Sequence, residues 1–279
     1  MVSVPTKNSN TSARSSNVSA PNGRNEVITG FLSAIQFLTI ITLSPGLSVP
    51  EGGMGRTLAY FPLVGLILGL LTAGLAWAAG DLWPPAGIGV LAVIWLAFLT
   101  RGLHLDGLAD TADAIGSNAP RERALEIMKD SRTGAYGAVA IVLVLLAKSR
   151  GFELLAEIEA WEAFILVPCL SRWGLCVLAV SSRYARADGG LGKAFVGAQN
   201  RWTLGISGPT ALCAAWVLAG PVIAAWAVLG VGLLSLLCSA YFRRRLGGVT
   251  GDVLGAHVEV IEAVLVLAAY ACAGNGVGI

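Results

Sequence analysis

The amino-acid sequence predicts an all-α fold, a polytopic bundle of helices that spans a membrane. Hydrophobic residues make up 55% of the chain and charged residues 13%, with a mean hydropathy of +0.72, whereas soluble domains are about 45–50% apolar. Several uncharged runs reach the roughly 20 residues that cross a hydrocarbon core about 30 Å thick. No stretch alternates apolar and polar residues as a half-buried strand does.

Apolar segments divide the chain, and the clearest is "TLAYFPLVGLILGLLTAGLAWAA". The segments lie at 30–43, 57–79, 87–100, 134–148, 163–180, 203–219, 221–242 and 256–273. Gly220-Pro221 predicts a tight turn between the sixth and seventh span candidates. The first segment is short for a span, so we expect seven full spans plus an N-terminal segment that is either re-entrant or an eighth span.

The N-terminal residues differ in composition from the rest. Residues 1–25 are rich in Ser and Asn and lack the apolar core of a signal peptide, which predicts a flexible polar tail. Residues 26–279 are predicted to form a single transmembrane domain. The five cysteines lie in apolar stretches without a CxxC pair, so we interpret them as small buried hydrophobic residues.

The segments between the apolar runs differ in charge, and this predicts the topology. Those at 101–133, 181–202 and 243–255 are rich in Lys and Arg, whereas 149–162 carries four glutamates. By the positive-inside rule, the basic segments face the cytoplasm, together with 45–56. We therefore expect a multi-pass protein of the cell (inner) membrane, in contact with the lipid bilayer. A net charge of +2 without a basic stripe argues against nucleic acid as a partner.

Three aspartates occur together in "HLDGLADTADA", at Asp106, Asp110 and Asp113. On a helix they would share one face, within an arc of roughly 60°. Like charges at this spacing weaken a helix unless cations lie among them. Mg²⁺ favours carboxylate oxygens, and paired ions can clamp a phosphoryl group. The alternative is that Asp106 caps a helix while the others are solvated; we favour the metal site.

Two further clusters are candidates for phosphate binding. In "RERALEIMKDSRTGAYG", Asp130-Ser131 predicts a helix start, and Lys129 and Arg132 beside it either bind an anion or merely flank this cap. In "RRRLGGVTGDVLGAHVEVIEA", Gly248 and Gly251 would let backbone N–H groups approach a phosphate.

The last cluster also places ionisable residues in an apolar run. Asp252 and Glu259 are seven residues apart and share a helix face. Glu259 and Glu262 lie within a predicted span, where a carboxylate usually faces a cavity or a charged partner. His257 is interpreted as a hydrogen-bonded packing residue, because hard-ion sites prefer oxygen ligands.

With these motifs in place, the chain resembles the cobalamin synthase family, adenosylcobinamide-GDP ribazoletransferase. The matching stretches are, in order, "GLHLDGLADTADA", "ALEIMKDSRTGAYG", "RYARADGGLGKAFVG" and "RRLGGVTGDVLGAHVE". The resemblance implies an integral-membrane, Mg²⁺-dependent enzyme for the last step of nucleotide-loop assembly. Such enzymes join adenosylcobinamide-GDP to α-ribazole or its 5′-phosphate, giving adenosylcobalamin or its phosphate and GMP.

The resemblance also assigns roles to residues of the predicted catalytic domain. It implies metal binding by Asp106, Asp110 and Asp113, with Asp130 and Asp252 as helpers. The basic residues expected to hold the outer oxygens of the pyrophosphate are Lys129, Arg132, Arg183 and Arg186. The hydroxyl proton would pass to an aspartate that is not saturated by metal or to His104, and the sequence does not choose between them.

Two other functions compete with this interpretation. The DGxxD…D spacing is similar to the CDP-alcohol phosphotransferase pattern, but that family's Ala-Arg is missing because Asp110 follows Ala109. A transporter could use Glu259 and Glu262 as an ion pathway, although paired broken helices are not evident in the sequence. The Gly65–Gly69 spacing allows close helix packing, which is compatible with a homo-oligomer.

Overall fold

The computed structural model describes residues 23–43 and 54–274, which confirm the all-α prediction. The helices are α1 (Gly23–Leu38), α2 (Met54–Thr57), α3 (Phe61–Ala79), α4 (Pro85–Leu99), α5 (Leu103–Gly116), α6 (Arg121–Ile127), α7 (Ala135–Glu157), α8 (Trp161–Ser181), α9 (Leu204–Leu246) and α10 (Gly251–Gly274). Within these ranges extended pairing is limited to one bridge between Tyr184 and Val249. The predicted tail lies outside the described residues up to residue 22, and its last three residues belong to α1.

Four helices are long and apolar enough to cross a membrane: Gly55–Ala79, Trp161–Ser181, Asn200–Leu246 and Gly251–Ala273. A fifth crossing results if α4 and α5, which meet at 93°, form one broken span. The short apolar helix Val27–Leu38 is too short to be counted with them. A membrane protein is thus supported, while the number of seven spans and the crossing of the N-terminal segment stay predictions.

Helix α9 is interrupted where the sequence predicts a break. Gly220 has φ 75° and ψ 168°, so the backbone leaves the helical region at this residue. Glycine adopts a positive φ without steric cost, and Pro221 cannot donate the hydrogen bond that would continue the helix. The break is confirmed, and the assignment of its two sides to separate spans stays a prediction.

Two of the charged connecting segments, 101–133 and 149–162, contain helices that the apolar pattern did not indicate. Segment 101–133 contains α5 and α6, and α7 continues through the acidic segment to Glu157. Between α4 and α5, Arg101 and Gly102 have φ values of 55° and 65°, and these two residues redirect the chain. The aspartates therefore lie on a helix packed against α7 and α10 rather than on a surface loop.

Helix α8 packs against α3, α9 and α10. At Gly65 a Cβ would lie 2.3 Å from the Pro168 carbonyl oxygen, and at Gly69 it would lie 2.3 Å from that of Ile165. The Gly65–Gly69 spacing thus serves close packing of α3 on α8 within one chain. A homo-oligomer stays a prediction.

A buried ion network connects α7, α8 and α10. Lys148 Nζ donates to Glu259 Oε2 at 2.7 Å and to Glu262 Oε2 at 2.5 Å. The Arg172 guanidinium donates to Glu262 Oε1, and all four side chains are buried. Two acids and two bases balance in charge, as a buried network requires. Each glutamate thus has a charged partner, as is usual for a carboxylate within an apolar helix.

Two smaller predictions concern His257 and the cysteines. His257 is buried, with Nε2 2.9 Å from Ser235 Oγ, so its packing role is confirmed. Cys169 and Cys176 are buried as predicted. The prediction is wrong for Cys213, which is exposed on α9; Cys238 and Cys272 are partly buried.

Candidate active site

Helix α5 carries the three aspartates and packs closely on the start of α10. At Gly107 a Cβ would lie 2.6 Å from the Asp252 carbonyl oxygen. At Gly255 a Cβ would lie 3.2 Å from His104 Cα. Glycine at these positions lets the two backbones touch and brings Asp252 close to α5, while the metal-helper role that the resemblance implies for Asp252 stays a prediction.

The aspartates share one helix face but not one environment. Asp106 is exposed, Asp110 is half-buried, and Asp113 is only 8% exposed. Equal roles as metal ligands would require each carboxylate to have oxygen atoms free to coordinate. Asp113 differs from the other two aspartates because both of its carboxylate oxygens already accept hydrogen bonds.

Asp113 caps helix α7. Its Oδ2 accepts a hydrogen bond from the Gly134 N–H at 2.7 Å, and its Oδ1 accepts one from the Gly137 N–H at 2.9 Å. These N–H groups would otherwise lack partners at the helix start, where the helix dipole also favours a negative charge. The negative charge of Asp113 is therefore stabilised by the N-terminus of helix α7.

The predicted helix start at Asp130-Ser131 is wrong. Helix α7 begins at Ala135, after Gly134, because its cap is supplied by a side chain distant in sequence. Asp130 instead binds Arg132, whose Nη2 lies 2.7 Å from Oδ2. These hydrogen bonds lower the pKa of Asp130 to about 2. Both side chains are exposed, so their roles in metal and phosphate binding stay predictions.

Asp110 lies among charges that mostly repel its own. Among the described charges that act on it most strongly, Asp106, Asp252 and Asp113 repel its negative charge and Arg186 attracts it. Arg186 is itself shared, because its Nη2 donates to Asp252 Oδ2 at 2.8 Å. Asp110 is thus a half-buried carboxyl group within electrostatic range of three other carboxyl groups and one guanidinium.

These acids are of the chemical kind that binds a hard cation, and Mg²⁺ binding stays a prediction. Among the described residues, no group of three or more His, Cys, Asp or Glu side chains is already arranged to hold a metal ion. Mg²⁺ commonly takes one or two carboxylates and completes its shell with water and substrate phosphates. Asp110, with Asp106 or Asp252 beside it, offers oxygens of that kind.

The other predicted phosphate ligands are only partly brought to this site. Lys129 binds Asp188, which lowers the pKa of that carboxyl. Arg183 is exposed. At Gly248 a Cβ would lie 2.2 Å from the Arg183 carbonyl oxygen, whereas at Gly251 it would meet Gly192 N at an ordinary 3.6 Å. Gly248 is therefore explained by chain packing, and phosphate binding by these residues stays a prediction.

His104 lies below the acidic face, in contact with the buried network. It is 2% exposed, and its Nδ1 lies 3.4 Å from Arg172 Nη2, which can donate to it. Its Nε2 has no hydrogen-bond partner in the described part of the chain. This geometry is typical of a positioning residue, and the role of His104 as a base stays a prediction.

Three structurally important residues were not predicted from the sequence: Arg121, Lys148 and Arg172. Arg121 holds α6 in place by donating from Nε to the Leu246 carbonyl at 2.7 Å and from Nη2 to the Ala185 carbonyl at 3.0 Å. Backbone carbonyl partners leave no signal in the sequence. Lys148 and Arg172 did have a signal, because ions in apolar runs need a charged partner.

Comparisons with known proteins identify the family. The family model described as cobalamin-5-phosphate synthase matches residues 30–270. A protein of Geotalea daltonii is 38% identical over 88% of this chain and 98% of its own. One of Syntrophobacter fumaroxidans is 43% identical over 87% and 98%. Both are named adenosylcobinamide-GDP ribazoletransferase. No solved structure matches. The chain is therefore an enzyme that belongs to the cobalamin-5-phosphate synthase family.

Proposed function

We propose that this enzyme is a membrane-bound, Mg²⁺-dependent phosphotransferase. It joins adenosylcobinamide-GDP to α-ribazole or its 5′-phosphate and releases GMP. The names of the relatives support the substrates. The observation that carries the mechanism is Asp110, a half-buried carboxylate among three others with one guanidinium nearby.

In this proposal the acids bind the cation and Arg186 binds a phosphate oxygen of the substrate. Mg²⁺, held by Asp110 and Asp106 or Asp252, would neutralise charge on the pyrophosphate. Arg186 is placed to bind a phosphate oxygen, because its guanidinium lies at the same cluster. Positioning and charge stabilisation supply most of the catalysis in such reactions.

The reaction balances with one proton transfer. A ribazole hydroxyl oxygen forms a bond to the phosphorus attached to cobinamide, and the bond from that phosphorus to the bridging oxygen breaks. GMP leaves with the electron pair, and the hydroxyl proton passes to a carboxylate that holds no cation. Asp106 is the most exposed aspartate of α5 and so the best placed to meet substrate.

We also propose a location for the site relative to the bilayer. The acidic site lies at the end of α4 that continues into α5. The last turn of α9 contains three basic residues, Arg243, Arg244 and Arg245. Basic residues at helix ends favour the cytoplasmic side. We place the site on the cytoplasmic face of the cell (inner) membrane.

The test is release of GMP from adenosylcobinamide-GDP and α-ribazole by the full chain in membranes, with and without Mg²⁺. We expect metal-dependent release and a cobalamin product from the wild type. Asp110→Asn should abolish both, whereas Asp81→Asn, a change in the exposed α3–α4 turn, should leave them unchanged. Turnover by Asp110→Asn would refute its role, and CMP release from a CDP-linked alcohol instead would favour the competing phosphotransferase.

A further inference from the structure

A cavity opens beside the acidic site, between α6 and residues 185–188. Its volume is about 280 Å³. Leu125, Ala185 and Ala187 form apolar walls, while Glu122 and Glu126 line it from one face of α6. We call this cavity the α6 slot. Apolar walls with a polar edge suit a flat heterocycle, whose faces are apolar and whose edge carries hydrogen-bonding groups.

Arg186 joins the α6 slot to the acidic site. Its side chain lines the slot while Nη2 donates to Asp252 Oδ2 at 2.8 Å and to the Met128 carbonyl at 3.3 Å. Its Nε is buried and has no hydrogen-bond partner in the described part of the chain. A buried donor without an acceptor is costly, and a phosphate oxygen would satisfy it.

The carboxylates of the slot are available for a ligand. Glu122 pairs with Arg121 at 3.4 Å and Glu126 with Arg123 at 2.9 Å, and both glutamates are mostly exposed. Exposed pairs of this kind contribute about 0–1 kcal/mol, so they rearrange at little cost. Guanine presents N–H donors on one edge, including its exocyclic amine, and these require acceptors such as carboxylates.

We propose that the α6 slot binds the nucleoside of the leaving nucleotide. The guanine ring lies between Leu125 and Ala187, its N–H edge faces Glu122 and Glu126, and its phosphate meets Arg186. This inference rests on the proposed function, because it identifies where the GMP half of the substrate binds. Lys129 and Asp188 also line the slot as an ion pair, so a phosphate would bind Lys129 by displacing Asp188.

The first experiment fills the slot. Ala187 is exposed, so Ala187→Trp extends a large side chain over the cavity without entering the core. We expect it to weaken inhibition by GMP by about tenfold or more and to raise KM for adenosylcobinamide-GDP. Inhibition by inorganic phosphate, which needs only the cationic end, should persist. Ala86→Trp, at an exposed alanine of α4, is the matched control and should change none of these.

The second experiment tests the base edge. GMP should inhibit the wild type more strongly than AMP does, and Glu122→Gln with Glu126→Gln should reduce that preference toward unity. An unchanged preference, or an Ala187→Trp enzyme with unaltered GMP inhibition, would overturn the slot while leaving the proposed function intact. If the wild type releases no GMP from adenosylcobinamide-GDP, the proposed function itself fails. If Ala187→Trp does not fold, the GMP preference of the variant with Glu122→Gln and Glu126→Gln decides whether the slot binds guanine.

Discussion

Replacing Asp113 by Asn separates a structural aspartate from the acids of the site. Both Asp113 oxygens accept backbone N–H groups, at 2.7 and 2.9 Å. In Asn an amide nitrogen replaces one oxygen, so a donor meets the N–H of Gly134 or Gly137. A hydrogen bond to a charged group contributes about 1.5–3 kcal/mol, and a negative charge at a helix N-terminus adds about 0.3–1 kcal/mol. We expect unfolding free energy to fall by about 2–4 kcal/mol.

The measurement is denaturant unfolding of each variant in the same detergent, with and without Mg²⁺. Asp110→Asn removes repulsion and should not lower stability, yet it should eliminate stabilisation by Mg²⁺. Asp113→Asn should lower stability but keep the response to Mg²⁺. Wild-type stability in Asp113→Asn, together with a lost Mg²⁺ response, would refute this reasoning and make Asp113 a metal ligand.

Three further predictions address the surroundings of the site. Glu262→Gln leaves a buried arginine undercompensated and should cost about 3–5 kcal/mol in unfolding free energy, whereas the surface change Glu157→Gln should cost less than about 1 kcal/mol. Gly107→Ala forces α5 from α10 and should reduce kcat and stability, whereas Gly74→Ala, which points into open space within α3, should leave kcat unchanged and should not lower stability. Arg186→Lys removes the guanidinium fork and should raise KM in the GMP-release assay.

Each of these has a result that would contradict it. Equal stabilities of Glu262→Gln and Glu157→Gln would mean that water or rearrangement compensates the buried network. Wild-type kcat in Gly107→Ala would show that the close contact of α5 with α10 does not position the aspartates. An unchanged KM in Arg186→Lys would leave phosphate binding to Lys129 or to residues outside the cluster.

The helices were predictable because each depends mainly on its own residues. Every apolar segment overlaps a described helix, since apolar length alone separates a buried helix from a polar connection. The break at Gly220 is local in the same sense. The helical character of the charged segment 101–133 was not evident, because α5 is stabilised by packing on α7 and α10.

Pairing between distant charges was not predictable from single residues. The sequence indicates that Glu259 and Glu262 need partners, but Lys148 and Arg172 lie 111 and 90 residues from the glutamates they bind. Which basic residue pairs with which glutamate depends on how the helices pack. The prediction of the α7 cap was wrong for the same reason. Asp113 lies 21 residues before Gly134, whose N–H donates a hydrogen bond to it. Local signals placed that cap at Asp130.

The fold explains why Asp110 remains available for chemistry. Helix α5 is fixed at its start by His104 beside the buried network, in its first half by Gly107 against α10, and near its end by Asp113 on α7. Each of these contacts either engages a polar side chain or brings two helix backbones close together. Asp110 lies between them with repulsive neighbours and no such partner among the described residues. A rigid helix that presents an unpaired carboxylate beside Arg186 favours binding a cation and a phosphate together, because each ligand offsets the charge left by the other.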